Sequence, residues 1–294
     1  MRLPTAILEG KKVPRVILSI QPHPPFNPHQ ISSLMKGTYE MGVWCFDLTS
    51  QNHLESFKEL RNSMTGEMLI GLCHLETETG ASFLGKPLHR FESKIVSTIR
   101  RGLLPSHLPR NILPPSSSSE VLTQKEIDRI AFDPPRFEKA LSRFDPVESP
   151  FLLVGEKYGD WLLALGRIDL LQEMVSRARE KGFIPIFSAQ WTTFVLPKAK
   201  SLNVSAYAVP INKKWSLFDL ERASDLIKKF EKPVISMNPL ADGDLLRESE
   251  GAFSFLFDEL KVCAVIAGIA SEEEARRIVE VLKKFPSLIP PRKT

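Results

Sequence analysis

The sequence predicts an α/β fold, a (β/α)8 TIM barrel, and three observations carry that expectation. Eight short apolar runs recur along the 294 residues: RVILSI (15–20), VWCFDL (43–48), MLIGLCHL (68–75), PFLLVG (150–155), FIPIFS (183–188), VSAYAV (204–209), PVISM (233–237) and VCAVIAG (262–268). Near-continuous apolar runs of that length suit parallel strands covered on both faces. Amphipathic segments separate them at roughly the 30-residue spacing of a strand–helix unit. Eight such units take about 250 residues, so the whole chain, 1–294, reads as one barrel domain with an excess to place.

Composition narrows the class. With 43% hydrophobic and 25% charged residues the chain is too apolar to be disordered. Lys and Arg total 39 against 35 Asp and Glu. Residues 1–150 hold 18 basic and 16 acidic groups, so each half carries +2 and no basic tail argues for nucleic acid. No apolar run approaches the roughly 18 residues of a membrane span. The start, MRLPTAILEGKKVPR, lacks the apolar stretch and cleavage site of a signal peptide. Cys45, Cys73 and Cys263 sit in apolar runs and read as reduced core residues, which predicts a cytoplasmic protein. Only 7 Asn and 6 Gln beside 23 Pro point to a thermophile source.

The helices have their own signals. Asp160 is placed to cap a helix with an apolar stripe from Trp161 to Ala178, stopping at Gly182. Ser216 with Asp219 opens another, closed by Pro233. Ser271 and Glu274 form a capping box ahead of Ala275, Ile278, Val279 and Leu282, which follow helical spacing. The excess length falls between the third and fourth runs, as an insertion over 80–149. It contains a predicted helix (89–103), a Pro/Ser-rich stretch over 105–120 that should be mobile, and a helical stretch near 123–144. It reads either as a lid over the barrel mouth or as an addition packed on the barrel's side.

Residues at the C-terminal ends of barrel strands face the mouth, where such barrels carry their chemistry. These are Gln21, His23 and His29; Asp47, Asn52 and His53; His74 and Glu76; Glu156, Lys157 and Tyr158; Ser188 and Gln190; Asn212 and Lys213; Asn238 and Asp242; Gly268 and Ser271. All six histidines precede residue 108, and four belong to this set. Asp47 interrupts an otherwise apolar strand, where a carboxylate needs a partner. His74 suits an acid or base, and Lys157 a Schiff-base nucleophile ahead of Lys213 or Lys214. The candidate catalytic set is therefore Asp47, His74, Glu156 and Lys157. His23, Asp47, His74 and Glu76 lie on adjacent strands but lack metal-ligand spacing, so no metal is expected. Loops after the seventh and eighth strands of such barrels often bind phosphate. Ser188, Asn212, Asn238, Gly243, Gly268 and Ser271 are the candidate cofactor-binding residues, although Glu272–Glu274 set negative charge at the same helix end.

Three segments resemble the aldo/keto reductases, which are NADP-linked (β/α)8 barrels. MGVWCFDLTS resembles that family's second strand, VISMNPLADGDLL its seventh strand and loop, and VCAVIAGIASEEEARRIVEVL its eighth strand and following helix. By this resemblance Asp47 matches the catalytic aspartate. The family's tyrosine is replaced by Asn52, its lysine falls near Cys73–His74, and its histidine near Gly155–Glu156. The positions that would grip the adenine end are Arg277 and Ile278. The resemblance implies a divergent NAD(P)-linked oxidoreductase acting on a small carbonyl compound, with His74 or Glu156 as the acid. Two alternatives stand beside it. One is a cofactor-free lyase, aldolase or isomerase acting on a phosphorylated small molecule. The other is a non-catalytic barrel that retains only ligand binding.

Overall fold

The computed structural model describes residues 3–21, 26–64, 68–75, 80–116, 118–214 and 219–288; His23, Glu76, Ser216 and the side chain of Lys157 lie outside them. Eight parallel strands close a barrel: β1 (Val16–Ile20), β2 (Cys45–Leu48), β3 (Ile70–Cys73), β4 (Phe151–Val154), β5 (Ile184–Ser188), β6 (Ala206–Pro210), β7 (Val234–Met237) and β8 (Ala264–Ile269). Each coincides with one of the apolar runs. Alternate residues face inward: Ile17, Cys45, Leu72, Phe151, Ile186 and Ile235 share the interior cluster. Their neighbours Leu18, Phe46, Leu152 and Phe187 pack outward under the helices. The register places Ser19 beside Asp47 and Asp47 beside Leu72, so the polar residues gather at one end of the barrel.

The other end has a floor. Strands Thr5–Leu8 and Lys11–Pro14 form an antiparallel hairpin around Glu9 and Gly10, both at positive φ as a two-residue hairpin turn requires. Ala6, Leu8 and Val13 of the hairpin are buried in the barrel-interior cluster. Arg15, also buried, donates to the carbonyls of Val262, Cys263 and Pro286 and lies 3.9 Å over the Phe257 ring. Those carbonyl and ring contacts offset the cost of burying the guanidinium.

The last helix, Glu272–Leu282, buries the stripe expected of it, Ala275, Ile278, Val279 and Leu282. Asp219 caps the helix Leu220–Lys228 by accepting from the Arg222 amide at 2.8 Å. The stretch expected to be one helix from Asp160 to Gly182 is two, Glu156–Ala164 and Ile168–Glu180, broken at Gly166 with φ 76°. Asp160 consequently caps a different helix. It lies inside Glu156–Ala164 and accepts from the amides of Gln190 (2.8 Å) and Trp191 (2.7 Å), ahead of the helix Thr192–Ala199. Burial pushes its carboxyl up to about 7, against the pull of those two amides.

Between β3 and β4 the chain adds a three-stranded antiparallel sheet and several short helices. Glu92–Thr98 and its flanking turns occupy the predicted 89–103 helix. The stretch near 123–144 is instead two helices, Gln124–Ile127 and Pro134–Leu141, separated by the strand Ala131–Phe132. Pro134 and Pro135 start the second helix and cannot continue the first. The Pro/Ser-rich stretch has one short turn, Arg110–Ile112, and is tethered. Arg100 donates to the carbonyls of Leu113 and Pro114, and Ser97 bonds Ser116 and the Ser118 carbonyl. The insertion is fastened to the barrel's flank: Arg167 donates to the carbonyls of Ile127 and Ile130, and Arg177 pairs with Glu138. Among its described residues, Arg143 and Phe144 at its end border the crevice that contains His74. No helix among the described residues is long and apolar enough to cross a membrane.

Candidate active site

Three strand ends converge on one imidazole. Asp47, the third residue of β2, points into the barrel and is 2% exposed. His74 follows β3, and its Nε2 meets Asp47 Oδ1. Glu156 follows β4, and its Oε1 meets the other imidazole nitrogen, Nδ1 of His74. Asp47 is the inner member of the cluster, since His74 is 21% and Glu156 17% exposed.

The backbone is bent to bring Glu156 there. Gly155 and Glu156 are consecutive left-handed residues, at φ 103° and 39°. Only glycine fits the first position, because a Cβ would stand 2.7 Å from the Ser188 carbonyl and from the Phe187 ring. Glu156 in that region costs of order 1–3 kcal/mol, a strain found most often at functional sites.

The electrostatics follow from the geometry. Burial works against charge on His74, but the Asp47 and Glu156 carboxylates outweigh it and hold the imidazole pKa well above its ordinary value. Both carboxylates thus favour the charged, imidazolium form of His74. His53 differs, because burial lowers its pKa. Its Nε2 faces the Ile20 carbonyl at 2.9 Å and must donate, so Nδ1 accepts from the Ser50 hydroxyl at 2.7 Å. It fastens the helix Gln51–Asn62 to the end of β1. Asn52 is exposed on that helix and His29 on the helix Pro28–Glu40. Gln21 donates to Ser19 Oγ at 2.8 Å.

The remaining strand ends carry serine and asparagine side chains tied into their own loops, with Asp242 and the Lys214–Asp244 pair beside them. Ser188 is buried with its hydroxyl 3.6 Å from Met237 Sδ. Asn212 donates to the Asn238 carbonyl at 3.2 Å and accepts from the Lys214 amide at 3.0 Å. Asn238 both donates to Asp242 and accepts from its amide. These amides stitch the β6 and β7 loops together. Asn238, Ala241, Asp242 and Gly243 all take positive φ, and a Cβ on Gly243 would meet nothing within 4 Å. Gly243 therefore serves the turn. Gly268 is exposed at the mouth, with only Gln21 Oε1 near its missing Cβ, at 3.6 Å. Ser271 accepts from the Glu274 amide at 3.2 Å, and the Glu274 carboxylate accepts from the Ala270 amide at 2.7 Å.

Lys214 pairs with Asp244 at 2.7 Å, and Lys213 is exposed. Asp160, four residues after Glu156, is not among the mouth candidates. Among the described residues, no group of three or more His, Cys, Asp and Glu side chains could hold a metal ion.

Neither a protein-family model nor a curated protein matches the sequence. Solved structures do match. The aldo-keto reductase AKR11C1 of Bacillus halodurans, in its holo form, superposes with a TM-score of 0.59 at 13% identity, covering 98% of this chain and 93% of its own. An aldo/keto reductase of Brucella melitensis gives 0.55 at 9% identity, over 97% and 95%. The thermostable aldo-keto reductase Tm1743, solved with the inhibitor epalrestat, gives 0.53 at 12% identity, over 95% and 94%. The chain has the aldo-keto reductase barrel fold. At such identities the likeness is one of fold. Within that fold, His74 and Glu156 stand at the two strand ends where the resemblance led to a lysine and a histidine.

Proposed function

We propose that the chain is an enzyme acting on a small carbonyl compound at the barrel mouth, with Glu156, His74 and Asp47 as its proton-transfer unit. The observation that carries this reading is the His74 imidazole held between two carboxylates, Asp47 buried and Glu156 partly exposed. Glu156, the outer carboxylate, takes a proton from the carbon beside the carbonyl. The C–H bond breaks, an O–H bond forms on Glu156, and the electron pair moves onto the carbonyl oxygen. Once protonated, Glu156 releases its hold on the Nδ1–H of His74, which becomes available to the developing oxyanion. Asp47 keeps the imidazole oriented and charged through Nε2. In an α-hydroxy carbonyl compound, Glu156 returns its proton to the former carbonyl carbon; the hydroxyl on the first carbon gives its own proton to the enediolate oxygen through His74 Nδ1 and becomes the new carbonyl, so the substrate is isomerised.

NADP-linked carbonyl reduction is the second reading, favoured by the fold likeness. The residues do not fit the phosphates of that cofactor. Ser271 and Glu274 already cap the helix after β8, Glu272, Glu273 and Glu274 crowd its first turn, and Asn212 and Asn238 are engaged in their own loops. A phosphate there would face carboxylates instead of amides. No hydride step is assigned to this mouth.

The test follows the α-carbon protons of hydroxyacetone and of dihydroxyacetone phosphate in D2O by NMR, with and without NADPH. Exchange that needs the protein, does not need NADPH and is lost in Glu156→Gln supports the proposal. Oxidation of NADPH by either compound transfers support to the reductase reading, and neither reaction removes both.

A further inference from the structure

The helix Glu156–Ala164 is docked on the end of β5 along its first two turns. At its entrance, a Cβ on Gly155 would stand 2.7 Å from the Ser188 carbonyl and from the Phe187 ring. One turn on, a Cβ on Gly159 would stand 3.0 Å from the same carbonyl and 3.1 Å from the same ring. The two glycines permit this close approach, and the next residue fixes it. Asp160 is 1% exposed, and its carboxylate accepts from the amides of Gln190 (2.8 Å) and Trp191 (2.7 Å) in the turn after β5. Burial favours the neutral acid there, and the amides of Gln190, Trp191 and Asp160 itself pull the other way. A fully buried aspartate whose charge rests on backbone amides is uncommon.

We infer that Asp160 is a positioning residue: by clamping the helix Glu156–Ala164 to the turn after β5, its carboxylate holds Glu156 at the His74 imidazole. Glu156 opens that helix at φ 39°, and strain of this kind persists only where the surroundings over-determine the backbone. The clamp is one helical turn away and supplies that constraint. It does not act on the imidazole directly, because the charges that shift His74 are those of Asp47 and Glu156. Any influence of Asp160 on His74 therefore passes through the backbone that carries Glu156. For its consequence in catalysis the inference rests on the acid–base reading of the mouth. Its geometric content, a Glu156–His74 contact that depends on Asp160, needs no substrate.

NMR titration of the His74 imidazole in the full chain tests this, with the resonance assigned by its loss in His74→Gln. Glu156→Gln sets the reference for a broken contact and should lower the His74 pKa toward its ordinary value. Asp160→Ala, which removes both acceptors, should lower it by at least about half as much, and Asp160→Asn, which keeps one acceptor oxygen, by less. If Asp160→Ala does not fold, Asp160→Asn, of the same size, decides alone. Thr192→Val is the control for plain destabilisation. It removes the buried bond from Thr192 Oγ1 to the Pro210 carbonyl (3.0 Å), so it should lower the thermal midpoint and leave the His74 titration where it was. In the proton-exchange assay, Asp160→Asn should lower kcat about tenfold at a KM within about twofold of wild type. No exchange by the wild type would remove the acid–base reading and leave the His74 titration to decide the clamp. An unchanged His74 pKa in the Asp160 variants, or an equal fall in Thr192→Val, would overturn the inference.

Discussion

The two halves of the barrel mouth are built on opposite electrostatic plans. At the ends of β2, β3 and β4, the His74 imidazole sits between two carboxylates on a strained backbone turn. At the ends of β5 to β8, serines, asparagines and glycines satisfy one another and their own loops. The first half has charged, partly exposed groups held ready by neighbours, and the second has finished its hydrogen bonding internally. Preorganised charge is what proton transfer requires, whereas self-satisfied amides offer little to an incoming phosphate. The same barrel resembles reductases by its shape and departs from them at its rim.

That contrast can be broken most forcefully at Glu156. Glu156→Gln keeps the shape but not the proton-accepting oxygen, and should slow proton exchange by about 100-fold or more at unchanged fold, measured by NMR. Next in size is Gly155→Ala. It must tolerate φ 103° and a Cβ 2.7 Å from backbone, and should destabilise the protein by about 3 kcal/mol in urea unfolding. Gly243→Ala, also left-handed but facing open space, should cost only about 1 kcal/mol. Equal costs at the two glycines would mean that crowding, which separates the halves here, does not matter.

The pH dependence sharpens the comparison. The folded pKa of His74 lies above its unfolded value near 6.5, so folding binds a proton more tightly there. The stability it confers is full below about pH 6.5 and is lost as pH rises through the raised value. The thermal midpoint should therefore fall over that window in the wild type and stay flatter in His74→Gln. The smallest effect is expected at the ends of β5–β8: saturating NADP should leave the midpoint unchanged, and a clear rise would restore a dinucleotide there.

Much of this was legible in the sequence because strands apolar on both faces announce themselves by length and spacing. Asp47 stood out for the same reason, as one carboxylate in an apolar strand. His74 and Glu156 could be placed at strand ends, but their meeting depends on Gly155 turning left-handed, which no periodicity encodes. The floor hairpin was missed although Glu9–Gly10 lies between two short runs, since four residues are too few to show alternation. The single helix expected from Asp160 to Gly182 failed at Gly166, where a left-handed glycine ends one helix before the apolar stripe does. In the insertion, Pro134 and Pro135 allow a start but not a continuation, so a helical stretch of sequence became two helices and a strand.

The barrel floor has a practical corollary. The Thr5 amide donates to Ser287 Oγ at 2.9 Å, the Leu288 amide donates to the Thr5 carbonyl at 2.7 Å, and Arg15 holds the Pro286 carbonyl. The two described ends of the chain are thus neighbours on the face away from Glu156. A short linker joining them, with new ends opened in an exposed loop elsewhere, should yield a circular permutant that still folds. An affinity handle carried in that linker would lie on the face away from Glu156 and leave the mouth free for ligand screening.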